Sequence, residues 1–304
     1  MGSIIEAKNL VKKYGSQTAV NSISFTIDEG ICFGILGPNG AGKSTTFKMC
    51  YGAAHITSGE LYIKNISVKE NSAKIKSLIG VVPQENGLDS DFSALDNLLL
   101  YANYYGIPHK MALDRAKELL INMQLEEYAE RSVEQMSGGM KRRLTIARAL
   151  LTRPKIIFLD EPTTGLDPQA RTWIWEELRE LKDSGTTVVL TTHYMEEAEA
   201  LCDKLLVLSK GSVVAEGSPQ KLIEKYVGKE VIEFEVLPKE MDYFVAKIKD
   251  QFQYQVMRNR LKLFVTDKQN PKDIINLISS QNITMRKASL NDVFLKVSGY
   301  ELND

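Results

Sequence analysis

Apolar runs of strand length dominate the first part of the chain. The stretches 4–10 and 19–27 predict two strands, with a turn between them, that form a small antiparallel layer. The continuously apolar runs 31–36 and 156–159 predict buried strands, as in a parallel sheet covered on both faces. We therefore expect an α/β core with a second, antiparallel β layer beside it.

The pattern becomes helical after Gly87. Apolar residues recur at helical spacing over 94–105 and 110–123, and a further helix is predicted over 139–151. The α/β pattern resumes after this stretch. We therefore expect a helical subdomain, at about 88–151, inserted between the two halves of the α/β core.

A change of pattern near Gly228 predicts a second domain. The chain would divide into domains at 1–227 and 228–304, which agrees with a length of 304 residues. Strands and helices then follow in the order β-α-β-β-α-β, a ferredoxin-like α+β arrangement. The predicted elements are 231–237, 241–251, 253–257, 262–266, 271–279 and 284–287. This domain carries no phosphate, metal or nucleophile motif, so its fold alone does not predict its role.

A glycine-rich loop lies between the apolar run 31–36 and a helix-compatible segment. Its sequence, GPNGAGKSTT, fits G-x-x-x-x-G-K-[ST] in the strand–loop–helix context that makes this pattern specific. Glycines allow backbone N–H groups to surround a phosphate, and the helix directs the positive end of its dipole at the same anion. The expected nucleotide-binding residues are Gly37, Pro38, Asn39, Gly40, Ala41, Gly42, Lys43, Ser44, Thr45 and Thr46.

Two acidic residues follow the apolar run 156–159. Lys43 would reach the β- and γ-phosphates of a nucleotide, and the Ser44 hydroxyl would bind Mg²⁺. Asp160, at the end of the apolar strand, would lie beside that metal ion. Glu161 would orient and deprotonate the water that attacks the γ-phosphate. These residues predict phosphoryl chemistry on a nucleoside triphosphate.

Two further polar residues follow predicted strands. His193 comes after the strand at 187–191 and would contact the γ-phosphate, although an isolated histidine is more often a surface residue. Gln84 follows the strand at 77–82 and would reach Mg²⁺ or the attacking water. An ordinary polar loop residue is the alternative interpretation of Gln84.

A second anion-binding sequence lies inside the helical subdomain. Ser137, Gly138 and Gly139 enter a predicted helix and form a backbone nest that suits phosphate. Two phosphate-binding surfaces and one lysine loop indicate a dimer in which this nest closes on nucleotide held by the other subunit. A flexible helix start is the simpler alternative. The simple interpretation of the basic run 141–143 is a solvated helix face.

Composition excludes several classes of function. A net charge of −1 gives no electrostatic basis for bulk nucleic-acid binding, so no nucleic-acid partner is expected. The three cysteines, Cys32, Cys50 and Cys202, show no metal spacing and are expected to be buried free thiols. No apolar run approaches the roughly 18 residues that span a bilayer, and the N-terminal residues do not resemble a signal peptide. A cytoplasmic protein is expected.

These motifs together resemble the nucleotide-binding subunit of ATP-binding cassette (ABC) transporters. The resemblance covers roughly residues 4–226 and includes GPNGAGKST, the loop glutamine, MSGGM, IIFLDEP, GLD and the histidine. It implies that Tyr14 stacks on adenine, although Tyr14 is equally well a turn residue. It also implies that Asp167 links two composite sites. Met140 stands where the family signature usually has glutamine, which removes a polar side chain but leaves the phosphate-facing residues.

The form SGGMKRR, with the C-terminal domain, is similar to the drug, lipid and oligosaccharide exporter branch. The resemblance implies a P-loop ATPase that binds ATP and Mg²⁺, dimerises with a second cassette and drives a separate integral membrane permease. The protein would then lie at the cytoplasmic face of the membrane. The alternative is a soluble cassette ATPase acting on ribosomes or nucleic acid. The second domain is either a regulatory ligand-binding module or an extension of the dimer interface.

Overall fold

The computed structural model describes residues 2–266 and 282–298, together with residues 269 and 271. The chain forms two compact units, Met1–Val214 and Ala215–Asp304, which are described separately. This division lies earlier in the chain than the domain boundary expected at 227/228, which stays a prediction.

An antiparallel sheet forms the first layer of the first unit, as predicted. Its strands are β1 (Ser3–Tyr14), β2 (Gln17–Asp28), β4 (Ser58–Ile63) and β5 (Ile66–Ser67). The strand order is β2-β1-β4-β5, and all three pairs are antiparallel. The turn between β1 and β2 leaves Tyr14 at the end of its strand.

The main sheet has six strands. They are β3 (Cys32–Leu36), β6 (Ile79–Val82), β7 (Ile156–Asp160), β8 (Thr187–Thr192), β9 (Lys204–Ser209) and β10 (Ser212–Gly217). The order is β10-β9-β3-β8-β7-β6, and the pairs from β9 to β6 are parallel. The carboxyl ends of β3, β8, β7 and β6 therefore lie side by side at one edge of the sheet, where open α/β sheets bind their ligands.

Helices lie between these strands in the chain. They are α1 (Lys43–Cys50), α2 (Ser72–Lys76), α3 (Ala94–Tyr104), α4 (His109–Asn122), α5 (Gly138–Leu150), α6 (Pro168–Asp183) and α7 (Met195–Leu201). Helices α3 to α5, with two short 3-10 turns, form the expected helical insert. The short helix α2 was not predicted, because its five residues are too few to show a helical period.

The core of the first unit fills the space around both sheets. Phe47 of α1 packs edge-on against Phe158 of β7, with ring centres 5.2 Å apart. Phe33 of β3 stacks on Phe25 of β2 at 5.9 Å and so joins the two sheets. The cysteines 32, 50 and 202 are buried and free, as expected. These contacts hold α1, and the loop before it, against the middle of the main sheet.

The second unit contains a four-stranded antiparallel sheet. The helices and strands of this unit are α8 (Pro219–Tyr226), β11 (Glu230–Glu235), α9 (Met241–Ile248), β12 (Gln253–Met257), β13 (Arg260–Val265), β14 (Ile283–Lys287) and α10 (Leu290–Ser298). The strand order β12-β13-β11-β14 is that of the expected ferredoxin-like arrangement. The helix predicted at 271–279 lies outside the described residues. Helix α10 was not predicted.

A buried ion cluster holds α10 against this sheet. The Asp292 carboxylate is 1% exposed and accepts hydrogen bonds from Lys262 Nζ at 3.1 Å and from Arg286 at 2.7 Å. The backbone N–H of Ser289 also donates to this carboxylate, at 3.0 Å. Burial opposes ionisation, but Arg286, Lys262 and Ser289 outweigh it and lower the pKa of Asp292 to about 2.

We expect Asp292→Asn to lower the unfolding free energy by about 3 kcal/mol at pH 7, because Lys262 and Arg286 lose their buried carboxylate and keep only the more exposed Glu233 as an acidic partner. The folded-state pKa of about 2 lies below the unfolded value of about 3.9. The stabilisation is therefore full above the unfolded pKa and is lost as the pH falls towards 2. Thermal unfolding of both proteins between pH 2 and 7 tests this, with the exposed Asp250→Asn as control. A constant difference across this range would contradict the assignment.

Candidate active site

A cleft of about 840 Å³ lies at the carboxyl edge of the main sheet. Four neighbouring strands end there, and each is followed by a predicted site residue: Gly37 after β3, Gln84 after β6, Glu161 after β7 and His193 after β8. The cleft is lined by Tyr14, Gln17, Thr18, Ala19, Asn39, Gly40, Gly42, Lys43, Ser44, Thr45, Gln84, Glu161, Thr164, His193, Lys210 and Gly211. The parallel pairing of the strands therefore gathers residues that are far apart in the chain.

The glycine-rich loop needs glycine at specific positions. Gly40 and Gly42 have φ angles of 79° and 100°, in the left-handed region. A Cβ on Gly42 would lie 2.6 Å from the Ala19 carbonyl oxygen, and one on Gly37 would lie 2.4 Å from that of Leu208. Helix α1 begins at Lys43, with Gly42 as its N-cap residue. The loop thus directs backbone N–H groups and a helix N-terminus into the cleft.

Lys43 lies over the same loop. Its Nζ donates to the carbonyl oxygens of Gly37 at 2.9 Å and Pro38 at 3.1 Å, and lies 3.8 Å from Glu161 Oε1. Burial lowers the pKa of Lys43, and the carboxylates of Glu161 and Asp160 oppose this change. A cation held between the loop and two carboxylates is placed to meet the phosphates of a nucleotide.

Ser44 lines the cleft and contacts the buried Asp160 behind it. Ser44 Oγ donates to Asp160 Oδ1 at 3.3 Å, and the Thr191 hydroxyl donates to the same carboxylate oxygen. Thr191 also accepts from the backbone N–H of Glu161 at 3.1 Å. Thr191 was missed in the sequence, because only the pairing of β7 with β8 brings it beside Asp160.

The Glu161 carboxylate is the centre of the polar contacts. It is 9% exposed, and its Oε2 accepts from Thr164 at 3.1 Å and from Gln84 Nε2 at 3.5 Å. His193 Nδ1 lies 3.2 Å from this oxygen, but it is buried and makes no aligned hydrogen bond. The pair is therefore a close contact and not a hydrogen bond. Glu161 also has a φ of 46°, uncommon for a residue with a side chain.

Tyr14 also lines the cleft. Its ring is 51% exposed and lies 4.6 Å from Lys12 Nζ, measured to the ring centre. An exposed aromatic face in a nucleotide-sized cleft is available for stacking on a base.

Two predicted groups lie outside the cleft of this chain. Ser137 caps α5 by accepting from the Met140 N–H at 3.2 Å, and a Cβ on Gly138 would meet no atom within 4 Å. Asp167 caps α6 by accepting from the Ala170 N–H at 2.9 Å. Neither lines the cleft. The assignments of Ser137, Gly138, Gly139 and Asp167 to nucleotide binding stay predictions.

Several cleft residues were not predicted. They are Gln17, Thr18, Ala19, Thr164, Lys210 and Gly211. Thr164 lies three residues after Glu161, and this position close behind the acidic strand end could have identified it from the sequence. Lys210 and Gly211 form the turn between β9 and β10, and Gly211 N–H donates to the Ala41 carbonyl at 3.1 Å. This turn lies beside the glycine-rich loop because β9 is the neighbour of β3 in the sheet, which the sequence does not reveal.

The suggestion that residues 141–143 form a solvated basic face is wrong for Arg142. This side chain is 4% exposed, and its guanidinium group donates to three backbone carbonyl oxygens. Sequence reasoning missed it because neighbouring helical residues of like charge point in different directions.

The fold and the cleft define a P-loop nucleoside triphosphatase. Residues 20–164 match the family described as ABC transporter. The chain is 41% identical over 305 aligned positions to the Nod factor export ATP-binding protein I of Burkholderia lata, covering 99% of this chain and 98% of that protein. The chain therefore belongs to the ABC transporter family, as an ATPase cassette.

Solved structures agree with this assignment. A dimeric ATP-binding cassette in a post-hydrolysis state, bound to ADP and Pi, is 32% identical with a TM-score of 0.64, covering 70% of this chain and 98% of that one. The cbiO1 protein of Clostridium perfringens, part of an ABC transporter complex, is 27% identical with a TM-score of 0.68, covering 83% and 97%. In the part of the chain that the structure describes, no helix is long and apolar enough to cross a membrane.

Proposed function

We propose that this cassette binds and hydrolyses ATP to drive an exporter. One observation carries the proposal: Lys43, Ser44, Gln84, Glu161 and His193 line a single cleft at the mouth of the glycine-rich loop. A cation, metal-binding oxygens and a carboxylate base around one phosphate cradle are the parts that phosphoryl transfer requires.

The cleft suits ATP in size and in chemistry. Its volume of about 840 Å³ lies in the range of small-molecule sites. Tyr14 would stack on adenine. The backbone N–H groups of the loop at residues 37–46, apart from Pro38, and the Lys43 ammonium would hold the phosphates.

The donor set beside the phosphates suits Mg²⁺. Ser44 Oγ and Asp160 Oδ1 lie 3.3 Å apart. Mg²⁺ prefers hard oxygen ligands and usually takes only a few of them from the protein. Ser44, Asp160 and the amide oxygen of Gln84 would hold the ion. When bound, Mg²⁺ neutralises charge on the phosphate oxygens.

Glu161 would act as the general base. Its carboxylate takes the proton of the attacking water as the new oxygen–phosphorus bond forms and ADP leaves. Gln84, Thr164 and His193 contact one carboxylate oxygen and restrict its orientation. His193 is also placed to contact the γ-phosphate. Catalysis would consist mainly of positioning and electrostatic stabilisation.

We propose that two cassettes close on two ATP molecules. The nest at Ser137–Gly139 does not line its own cleft, and Gly138 is open, so the nest is available to nucleotide bound by a second copy. Asp167 would link the two composite sites. The dimeric cassette among the similar structures supports this arrangement.

We propose further that the cassette works with an integral membrane permease on a separate chain, at the cytoplasmic face of the membrane. The similarity to a protein named for Nod factor export, over nearly the full length of both chains, supports an export role, with a drug, a lipid or an oligosaccharide as cargo. It also disfavours the alternative of a soluble ATPase acting on ribosomes or nucleic acid.

Affinity capture tests the proposed partner. The tagged Glu161→Gln protein is purified in mild detergent with ATP, and co-purifying proteins are identified by mass spectrometry. We expect an integral membrane protein with several spanning helices, in equal amount with the cassette. Capture without ATP is the control. Ribosomal proteins or nucleic acid in its place would contradict the transport role and leave the ATPase chemistry standing.

A further inference from the structure

Arg142 lies on α5 and reaches the catalytic edge of the main sheet. Its Nε donates to the Pro162 carbonyl at 2.8 Å, its Nη2 to the Asp160 carbonyl at 2.9 Å, and its Nη1 to the Pro83 carbonyl at 2.5 Å. Each nitrogen therefore has its own backbone partner. The side chain is 4% exposed, so these hydrogen bonds are shielded from water.

The three carbonyls belong to neighbours of Glu161 and Gln84, two of the predicted catalytic residues. Asp160 and Pro162 are the residues on either side of Glu161, and Pro83 directly precedes Gln84. Glu161 also holds a left-handed φ of 46°, a conformation that persists only where the surroundings fix it. Arg142 contacts the backbone at both flanks of this residue.

Arg142 leaves the metal-binding oxygens free. It binds the backbone carbonyl of Asp160, while the carboxylate of Asp160 faces Ser44 and Thr191. Burial lowers the pKa of Arg142 to about 10, and the carboxylates of Asp160 and Glu197 oppose this change. Because about 10 is well above neutral pH, the guanidinium group stays charged.

We propose that Arg142 is a positioning residue for ATP hydrolysis: it fixes the backbone around Glu161 and before Gln84, so that both side chains meet at the attacking water. The proposal rests on the ATPase function proposed above. Arginine suits this task because its planar fork presents several donors at fixed angles, whereas lysine has a single nitrogen on a flexible stem.

Arg142→Lys and Arg142→Gln test the proposal. We expect kcat to fall about 10- to 100-fold in both variants, because small misplacements of a catalytic group have effects of this size. The Kd for a non-hydrolysable ATP analogue is expected to stay within about twofold, because Arg142 does not line the cleft. The lysine variant keeps the positive charge, but we expect its kcat to be no higher than that of the glutamine variant.

Arg115→Gln is the matched control. Arg115 also donates to one backbone carbonyl, that of Leu151 at 3.2 Å near the end of α5, and does not line the cleft. Its loss tests whether a weaker attachment of α5 is enough to lower the rate. Wild-type kcat is expected. A fall equal to that of the Arg142 variants would assign the effect to general destabilisation and overturn the proposal.

A double-mutant cycle separates positioning from a general structural role. Because Arg142 acts largely through Glu161, Arg142→Lys should lower the residual rate of Glu161→Gln by a much smaller factor than it lowers the wild-type rate, with only the contribution through Gln84 remaining. Additive losses, a wild-type kcat in Arg142→Lys, or failure of both Arg142 variants to fold would each overturn the proposal. Unaltered hydrolysis in Glu161→Gln alone would instead refute the proposed function of Glu161.

Discussion

Glu161→Gln is expected to abolish most ATP hydrolysis while leaving ATP binding and dimerisation intact. The amide keeps the size and the accepting oxygen of the side chain, but it cannot take a proton from water. The loss of a general base typically lowers the rate by about 10²- to 10⁴-fold. The neighbouring amine of Lys43 would lose one carboxylate at 3.8 Å, so binding of anionic phosphates should not weaken.

Phosphate release and ATP-dependent dimerisation are measured on the same sample. Glu176→Gln, an exposed carboxylate on α6, is the matched control and should hydrolyse ATP at the wild-type rate. We expect the Glu161→Gln protein to elute as a dimer with ATP and as a monomer without it. Near-normal turnover would remove Glu161 from the role of base.

Ser137→Arg is expected to stop turnover while nucleotide binding to the monomer persists. Ser137 caps α5 through the Met140 N–H, and the nest it begins has no part in the cleft of its own chain. A long cationic side chain there would obstruct the approach of nucleotide held by a second copy. The expected loss is comparable to that of Glu161→Gln, because neither composite site of this homodimer could close on its nucleotide.

Mixing the two inactive variants gives a sharper test. In a mixed dimer, the Ser137→Arg chain supplies an intact Glu161 and the Glu161→Gln chain supplies an intact Ser137, so one composite site is complete. We therefore expect hydrolysis to reappear on mixing. No recovery, or a Ser137→Arg monomer that no longer binds nucleotide, would contradict the assignment of Ser137 to the partner's site.

Local chemistry made part of the site predictable. A phosphate loop needs glycine where a Cβ would strike the backbone, as at Gly37 and Gly42, and this requirement is written directly into the sequence. Asp160 and Glu161 were also predictable, because acidic residues directly after a short apolar run mark the end of a buried strand. Gln84 and His193 were predicted by the same rule, because each follows a predicted strand, but a single polar residue in that position is less specific than two adjacent acids.

The second unit shows how order along the chain predicts topology. Six predicted elements in the order β-α-β-β-α-β indicated a ferredoxin-like arrangement, and the antiparallel order β12-β13-β11-β14 agrees with it. Its buried ion cluster was not predictable. Lys262, Arg286 and Asp292 lie on different elements, and charged residues at such positions ordinarily face solvent.

The sequence by itself determined the phosphate loop, the acidic strand end, the helical insert and membership of a nucleotide-hydrolysing class, because each depends on residues that are close together in the chain. Only the tertiary structure decided that Thr191 binds Asp160, that the turn at Lys210 borders the cleft, and that Arg142 is buried against the backbone on both sides of Glu161. The physical reason is that these contacts arise from the order of parallel strands and from the packing of α5, which no local pattern encodes.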